Sequence, residues 1–432
     1  MPAVASSAST RSRSKRKWML LSGIIIILFM GSSVEQQFTS EWIQQQLLVG
    51  ESISVSNNTF VVVSTSNRTK KRRIPKRSPR RVYWCGFGNL FVPSEGGRSL
   101  AEQLFPEVEV VHIDKKDSDT ILKNTTKNDV LLYGSGDKHT ASRFPGTIVI
   151  LNGESRQWWE KELADVNKSL VFPVAEVDLL LDDQPESRNN NNTGINGDAT
   201  DVKIYFMSMH FATLGKDWQE RVLRQSNNPK PRGLYDTKPY FLLYLQSNCA
   251  RHREKAFGDL SKLFNESQTN EQQVHQRKVH YGQKCAGRSY TNASNVERAP
   301  SSKGDYKWTE NYKLFQQYRF GLVMENTSKR GYMTEKIINA FLGGTIPIYY
   351  GSKPDVLEVF HPQAFVYWDI DNPQPAMERI RYLETNQTAY DEVLSGPILK
   401  DGDETIRKYF SWNDDLGNGA IKWFIRDRIG YG

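Results

Sequence analysis

Between residues 240 and 370, short apolar runs alternate with amphipathic stretches, and this alternation restricts the fold more than any other feature of the chain. The apolar runs are YFLLYLQSNC (240–249), KVHYG (278–282), RFGLVME (319–325), TIPIYYG (345–351) and AFVYWDI (364–370). Two stretches between them, RHREKAFGDLSKLF (251–264) and TEKIINAFL (334–342), place apolar residues at helical spacing. Strands separated by helices pair in parallel, so the pattern predicts a doubly wound α/β sheet.

A second set of apolar runs precedes this segment: RRVYWCGFGNLF (80–91), EVEVVHI (107–113), DVLLYGS (129–135) and TIVILNGES (147–155). Their spacing and bounding turn residues predict another α/β domain. A chain of 432 residues has room for both. We therefore predict an amino-terminal α/β domain at 82–235 and a carboxyl-terminal Rossmann-like domain at 236–432, facing each other across a ligand cleft.

The pattern of the amino-terminal part predicts a membrane anchor followed by a stem. Residues 18–34 are uncharged and apolar, at the short end of the length that spans a bilayer. Basic residues crowd the segment before them, which predicts a cytoplasmic tail at 1–17, a transmembrane signal anchor at 18–34 and the remainder across the membrane. The polar segment 35–81 lacks periodicity and is predicted to be a flexible stem. A cleaved signal peptide is the alternative, although no convincing cleavage site follows.

The basic residues do not indicate a nucleic-acid partner. Five lie between Arg11 and Lys17, and nine lie in RTKKRRIPKRSPRR (68–81). Removing these 14 residues from the formal net charge of +8 leaves −6 for the rest of the chain. The predicted folded part is therefore mildly acidic, and the excess of positive charge belongs to the two tails.

The asparagine triplets agree with a body in the secretory lumen, and the cysteines limit the possible disulfides. The three cysteines, Cys85, Cys249 and Cys285, allow one disulfide at most. Cys249 and Cys285 flank one predicted strand–helix–strand unit and are the preferred pair. No two cysteines have the spacing of zinc ligands, so no metal site is predicted. Asn-x-Ser/Thr acceptors occur at Asn57, Asn67, Asn124, Asn167, Asn191, Asn265, Asn292, Asn326 and Asn386.

Charged and hydroxyl side chains crowd the loop between the predicted strand that ends at Met324 and the helix that follows Thr334. In a parallel sheet such a loop lies at the carboxyl edge, where ligands bind. Thr334 would be the N-cap of a helix that buries Ile337, Ile338, Phe341 and Leu342. The helix N-terminus and Lys336 would attract an anion, while carboxylates suit sugar hydroxyls. These groups together suggest a nucleotide-sugar site, and a solvated loop with a capped helix is the alternative.

At this loop the sequence resembles a known family. YRFGLVMENTSKRGYMTEKIINAFLGGTIPIYYG (318–351) is similar to the signature of the α-1,3/4-fucosyltransferases, glycosyltransferase family 10, with Thr327 and Met333 as mild departures. LQSNCARHREKAFGDL (245–260) resembles the S-N-C…R…L segment of the family, and VHYGQKC (279–285) resembles its [VI]-D-x-Y-G-x-C. The similarity extends over about 240–370, and in the amino-terminal domain it is confined mainly to TIVILNGES.

The resemblance implies a GT-B fold of two facing Rossmann-like domains and an inverting transfer of L-fucose from GDP-β-L-fucose. The donor would be bound by residues of the carboxyl-terminal domain: Arg253, Glu325, Asn326, Tyr332, Glu335 and Lys336. Glu154 would be the catalytic base, which deprotonates the acceptor hydroxyl. Arg253 and Lys336 would neutralise the pyrophosphate, so no cofactor is required and a divalent cation, Mn or Mg, would at most stimulate. A donor-site Asn326 would carry no glycan.

The same resemblance implies an α-1,3 linkage to a GlcNAc hydroxyl of a glycan on a glycoprotein or oligosaccharide, of the N-glycan core or LacNAc/Lewis type. It also implies a Golgi membrane protein of single-pass type II topology, with the catalytic domain in the lumen. Two other functions stay open, namely a GT-B transferase that uses another nucleotide sugar and an inactive lumenal carbohydrate-binding protein. Asp369 and Asp371 form an Asp-x-Asp triplet that we interpret as structural, and we interpret His210 in the same way.

Overall fold

The computed structural model describes residues 78–86, 96–134, 136–151, 161–175, 204–227, 238–263, 278–285, 296–299 and 310–432, together with four short strands nearer the amino terminus. The chain divides into two compact units, Met1–Ile74 and Pro75–Gly432. In the first unit the strands β1 (Leu20–Leu21), β2 (Ile24–Ile26), β3 (Ser52–Ser56) and β4 (Thr59–Val63) pair antiparallel in the order β1-β2-β4-β3.

The second unit opens with a five-stranded parallel sheet in the order β6-β5-β7-β8-β9. Its strands are β5 (Val82–Cys85), β6 (Val110–His112), β7 (Val130–Tyr133), β8 (Thr147–Leu151) and β9 (Val171–Ala175). The connecting helices are α1 (Leu100–Leu104), α2 (Ser118–Leu122) and α3 (Lys138–Arg143). Ser99 and Glu102 form a capping box at the start of α1, which supplies partners for backbone N–H groups that a helix cannot pair.

A second sheet of six parallel strands follows in the order β12-β11-β10-β13-β14-β15. These strands are β10 (Tyr240–Gln246), β11 (Val279–Gln283), β12 (Val296–Arg298), β13 (Tyr318–Met324), β14 (Ile346–Tyr350) and β15 (Val366–Tyr367). The α/β class with parallel sheets is therefore confirmed. The order runs outward from β10 in one direction and from β13 in the other, so the topological switch point lies between these two strands.

Helices cover both faces of this sheet. The helices of this half of the chain are α4 (Phe206–Ala212), α5 (Lys216–Asn227), α6 (Arg251–Lys262), α7 (Tyr312–Phe315), α8 (Glu335–Leu342), α9 (Lys353–Val359), α10 (Gln374–Thr385), α11 (Gln387–Ser395), α12 (Asp403–Tyr409) and α13 (Ala420–Arg428). Leu242 packs in one apolar cluster with α6, while its neighbour Leu243 packs in another with α8, because successive strand residues point to opposite faces. The predicted apolar stripe of α8 is buried: Ile337, Ile338, Phe341 and Leu342 are at most 2% exposed.

Two helical segments link the sheets. In α4, Met209 packs with the first sheet and Phe211 packs with α8 beside the second sheet. In α13, Ile421 and Ile425 pack with the first sheet, and Arg426 pairs with Glu107 at 2.6 Å. The last helix of the chain thus completes the core of the first sheet, although it follows the second sheet in sequence. The domain boundaries at 235 and 236 remain predictions.

Within the described residues no helix has the length and apolarity needed to cross a membrane. Of the predicted span 18–34, the structure describes Leu20–Leu21 and Ile24–Ile26, which are short strands. The other residues of the span lie outside the described part of the chain, as do nearly all of the tail and stem.

Candidate functional site

The predicted donor residues meet at the carboxyl edge of the second sheet, beside the switch point. The loop after β13 and the loop after β10 come together here, and Asn248 Nδ2 donates a hydrogen bond of 3.4 Å to Asn326 Oδ1. Open parallel sheets form a ligand crevice at this position, because the connections on either side leave toward opposite faces.

Glu325 is fully buried and faces the start of α8. Its Oε1 accepts a hydrogen bond of 2.7 Å from the backbone N–H of Thr334, and the Thr334 hydroxyl lies 2.9 and 2.8 Å from its two carboxylate oxygens. Thr334 is the N-cap by position, as expected, but its side chain bonds to Glu325 rather than to the helix backbone. The predicted role of Glu325 as a donor contact stays untested. Its hydrogen bonds in the structure hold the helix N-terminus.

Lys336 lies in the first turn of α8, and its side chain is 21% exposed. The ammonium donates to Thr334 Oγ1 at 2.7 Å and to Glu325 Oε2 at 3.3 Å. An ammonium has three N–H donors, so one is left without a hydrogen-bond partner among the described residues. Burial acts to lower the pKa of Lys336, but the charges of Glu325, Glu335 and Tyr332 together outweigh it, and the net pKa lies above the ordinary value. The site therefore holds a protonated lysine beside a helix N-terminus.

Glu335 and Lys336 line a pocket of about 350 Å³. Its other walls come from the ends of β10, β11 and β13 and from α7 and α8: Leu245, Gln246, Ser247, Gln283, Asn311, Phe315, Val323 and Asn339. The Lys336 ammonium lies 3.8 Å from Glu335 Oε1. The pocket thus combines one cation and one carboxylate with several carboxamides, and its volume lies in the range of small-molecule sites.

Arg253 reaches the same edge from α6, but it is only 1% exposed. Its guanidinium donates to the carbonyl oxygens of Asn248 at 3.1 Å and Met324 at 2.5 Å, and its Nε has no hydrogen-bond partner among the residues that the structure describes. Burial lowers the pKa of Arg253, and Glu325 partly offsets this. In this arrangement Arg253 joins the ends of β10 and β13 and adds positive charge beneath the crevice.

Asn326 and Tyr332 lie on the outer part of the loop. Asn326 is exposed and donates a hydrogen bond of 3.2 Å to the Tyr332 hydroxyl. The structure therefore brings the six predicted donor residues to one edge. They divide into a buried group of Arg253 and Glu325 and an accessible group of Asn326, Tyr332, Glu335 and Lys336.

Asp355, which sequence reasoning missed, holds the loop between β13 and α8 in place. Asp355 is 1% exposed, at the start of α9. It accepts a hydrogen bond of 2.7 Å from the backbone N–H of Gly331 and pairs with Arg330 at 3.0 Å. The Tyr205 hydroxyl donates to it at 3.2 Å. Gly331 has φ +78, a conformation that glycine adopts readily, and a glycine inside such a polar loop is the one sequence signal for this turn.

A disulfide joins Cys249 and Cys285, with the two Cα atoms 5.2 Å apart. This is the preferred pair of the sequence analysis, and it links the loops that follow β10 and β11. The Glu254 carboxylate lies close to both sulfurs, but these sulfurs are bonded to each other and offer no thiolate to a metal. Cys85 is buried and free.

The predicted base lies outside the described residues, because Glu154 falls in the segment 152–160. The preceding strand, β8, ends at the fully buried Leu151 and belongs to the first sheet. At the carboxyl edge of that sheet Glu162 accepts hydrogen bonds from the Tyr133 hydroxyl and from the backbone N–H of Gly136. The structure thus shows the sheet edge from which the segment of Glu154 departs.

The two groups interpreted as structural make contacts within the fold. Asp369 accepts hydrogen bonds from the backbone N–H groups of Asp371 and Asn372 at 3.0 and 3.4 Å, in an exposed turn after β15. His210 is fully buried in α4, and its Nε2 lies 3.1 Å from Asn339 Oδ1.

The fold and this edge together define an α/β protein with a polar pocket at the carboxyl edge of a parallel sheet, lined by Lys336 and Glu335. Residues 239–395 match the family model described as glycosyltransferase family 10 (fucosyltransferase), C-term. The resemblance found in the sequence is thereby confirmed over residues 239–395.

Similar proteins include two α-(1,3)-fucosyltransferases. FucT of Helicobacter pylori is 46% identical over 83 residues, which are 19% of this chain and 17% of that protein. α-(1,3)-Fucosyltransferase 7 of Homo sapiens is 33% identical over 103 residues, which are 23% of this chain and 25% of that protein. These matches therefore span a quarter or less of either relative. A crystal structure of an α1,3-fucosyltransferase is similar with a TM-score of 0.44 at 18% identity, covering 87% of this chain and 93% of that one.

Proposed function

We propose that the protein is an inverting glycosyltransferase of GT-B type that moves L-fucose from GDP-β-L-fucose to a GlcNAc hydroxyl of a glycan, in α-1,3 linkage. The carrying observation is the arrangement at the start of α8, where a protonated Lys336 lies beside a helix N-terminus at the switch point of a parallel sheet. The family match over 239–395 supports GDP-fucose as the donor at this site.

The leaving group of such a transfer is a nucleoside diphosphate, and its negative charge grows in the transition state. The protonated Lys336 and the unpaired N–H groups of the first turn of α8 would stabilise this charge. Arg253 would contribute through its field and by joining β10 to β13, because its guanidinium is turned toward two backbone carbonyls. With this positive charge in place, the transfer requires no cofactor, and Mn or Mg would at most stimulate it.

Inversion at the anomeric carbon requires attack from the face opposite the diphosphate, by an acceptor hydroxyl that loses its proton to a base. We assign this base to Glu154. The assignment rests on the resemblance of TIVILNGES to the family and on the place of β8, whose carboxyl edge leads directly into the segment of Glu154. The acceptor would then be held by the first sheet and the donor by the second.

The proposal includes a location. An uncharged apolar segment, 18–34, follows five basic residues, and Asn-x-Ser/Thr acceptors recur along the chain. Both features agree with a single-pass type II protein of the Golgi membrane whose catalytic part lies in the lumen. The acceptor would be the core GlcNAc of an N-glycan or a LacNAc/Lewis-type unit.

A transfer assay tests the proposal. The full chain would be incubated with GDP-fucose and a panel of N-glycan core and LacNAc acceptors, with UDP- and GDP-hexoses as competing donors, followed by linkage analysis of the product. We expect transfer from GDP-fucose alone, to GlcNAc, in α-1,3 linkage. Transfer from another nucleotide sugar would replace the donor in the proposal. Glycan binding without transfer from any donor would indicate the inactive carbohydrate-binding protein instead.

A further inference from the structure

Two glutamines stand side by side at the ends of neighbouring strands. Gln246 is the last residue of β10 and Gln283 is the last residue of β11, and the two are Cα partners in the parallel pair. Neighbouring strands lie about 4.8 Å apart, so the backbones of these two residues are side by side at this edge of the sheet. We call the two residues the glutamine pair.

The glutamine pair lines the 350 Å³ pocket together with Glu335 and Lys336. Gln246 is 3% exposed, yet its carboxamide takes part in none of the hydrogen bonds between described residues. The carboxamide of Gln283 makes none with them either. Gln283 is exposed, and both carboxamides border the pocket, so their N–H and carbonyl groups are available to a ligand there.

The backbone of Gln283 gives an independent observation. Its φ is +63, a left-handed conformation that costs a non-glycine residue roughly 1–2 kcal/mol. The conformation is held by the disulfide of Cys285 and by the hydrogen bond of 3.0 Å from Cys285 N–H to the Gln246 carbonyl. Strain of this kind clusters at functional sites, which marks Gln283 as a candidate functional residue.

We propose that the glutamine pair recognises the hydrogen-bonding edge of the donor nucleobase, an inference that rests on the proposed function. Lys336 and Glu335 occupy one wall of the pocket and suit the diphosphate and the ribose, which leaves the base for the wall formed by Gln246 and Gln283. Each carboxamide offers two N–H donors and one carbonyl acceptor. Two of them side by side match a purine edge that presents an oxygen acceptor beside two N–H donors, as guanine does.

Calorimetric titration of the full chain with GDP and with UDP tests this inference. We expect Gln246→Met, which keeps the side-chain volume, and Gln283→Gly each to weaken GDP binding about tenfold, the loss typical of a hydrogen bond to a buried group. UDP binding should change far less, so the preference for GDP over UDP should shrink in both variants. Gln374→Ala, an exposed glutamine on α10, is the matched control and should bind both nucleotides like the unsubstituted chain.

Gln283→Gly also separates recognition from folding. Because glycine relieves the left-handed backbone, this variant should unfold at a higher temperature while it binds GDP more weakly. A purely structural glutamine would not change stability and affinity in opposite directions. Gln283→Asn keeps the carboxamide on a side chain that is one methylene shorter, and asparagine tolerates a left-handed backbone. The GDP affinity of this variant should lie between those of the glycine variant and the unsubstituted chain.

Two results would overturn the inference alone. Unchanged GDP affinity in Gln283→Gly would show that its side chain does not contact the nucleotide, and equal losses for GDP and UDP would place the contact on the ribose or diphosphate that they share. If the unsubstituted chain bound no GDP, the proposed function would fail first, and the inference with it.

Discussion

At the scale of single residues, the electrostatics of the candidate site depend on Lys336. It is the cation among the described residues that line the pocket, and its ammonium donates hydrogen bonds to Thr334 and Glu325. Because its position and charge are set before a ligand arrives, little reorganisation is needed when a diphosphate binds.

Replacing Lys336 with Met removes this charge while keeping most of the side-chain volume. We expect GDP affinity to fall at least about tenfold and kcat/KM for fucose transfer to fall by about two to three orders of magnitude, the usual loss for one transition-state contact. Calorimetry with GDP and steady-state kinetics measure the two effects. Lys400→Met alters an exposed lysine and should change neither. Full activity of Lys336→Met would remove the lysine from the proposed mechanism.

Glu325→Gln tests whether the Glu325 carboxylate raises the pKa of Lys336. The carboxylates of Glu325 and Glu335 together raise the pKa of Lys336, so the ammonium remains protonated above the pH at which an ordinary lysine loses its proton. Its contribution to stability and binding is present at neutral pH and is lost as the pH rises through the folded-state pKa. In Glu325→Gln this loss should occur at lower pH.

The measurement for Glu325→Gln is GDP affinity from pH 7 to pH 11. Glu335→Gln is the comparison variant and should shift the alkaline limb less, since Glu335 lies farther from the ammonium, at 3.8 Å against 3.3 Å. Removing one partner of a buried ion pair also costs about 3–5 kcal/mol of unfolding free energy, so Glu325→Gln should unfold in less denaturant. A pH profile of Glu325→Gln identical to that of the unsubstituted chain would contradict the assigned cause.

At the scale of elements, the sequence predicts the strands and helices well and the site only in part. The apolar runs at 240–249 and 319–325 are strong signals because both faces of their strands are buried, as for Leu242 and Leu243. The sequence places Glu325 in a ligand loop, but it cannot tell that the side chain turns inward to Thr334. That direction depends on the meeting of β13 with α8, which is a tertiary contact. The position of Gln283 beside Gln246 depends in the same way on strand register.

The disulfide gives a prediction at the same scale. It closes a segment of 36 residues between the ends of β10 and β11, and removing it should cost about 3–4 kcal/mol by the chain-entropy argument. The double variant Cys249→Ala/Cys285→Ala should also bind GDP more weakly, because the disulfide holds the end of β11, where Gln283 lies. Chemical denaturation and GDP titration, each with and without reductant, measure both effects.

Cys85→Ala is the control for the disulfide prediction, because Cys85 is the free cysteine of the first sheet. It should lose at most a modest part of its stability and should respond to reductant as the unsubstituted chain does. The double variant should be insensitive to reductant, and the reduced unsubstituted chain should approach it. Equal GDP affinity for the oxidised and reduced chain would show that the bond stabilises the fold without shaping the pocket.

At the scale of the whole molecule, the proposed function is divided between two parallel sheets. The second sheet holds the candidate donor site, and the first leads into the segment of the predicted base. The two are joined by α4, which packs against both, and by α13, which returns from the second sheet to complete the core of the first. Mutations in either helix should therefore disturb both parts of the reaction, whereas mutations at one sheet edge should affect only one part.

Glu154→Gln tests this division of labour. The substitution keeps the shape of the side chain and removes its ability to accept a proton, so GDP binding should be unchanged while kcat falls by about two to four orders of magnitude, the usual contribution of a general base. Calorimetry with GDP and an acceptor-saturated transfer assay measure the two quantities. Glu109→Gln, which alters an exposed carboxylate, is the control and should keep the GDP affinity and kcat of the unsubstituted chain. A near-normal rate in Glu154→Gln would exclude Glu154 as the base. A parallel loss of GDP affinity would instead place this residue at the donor and contradict the separation of the two edges.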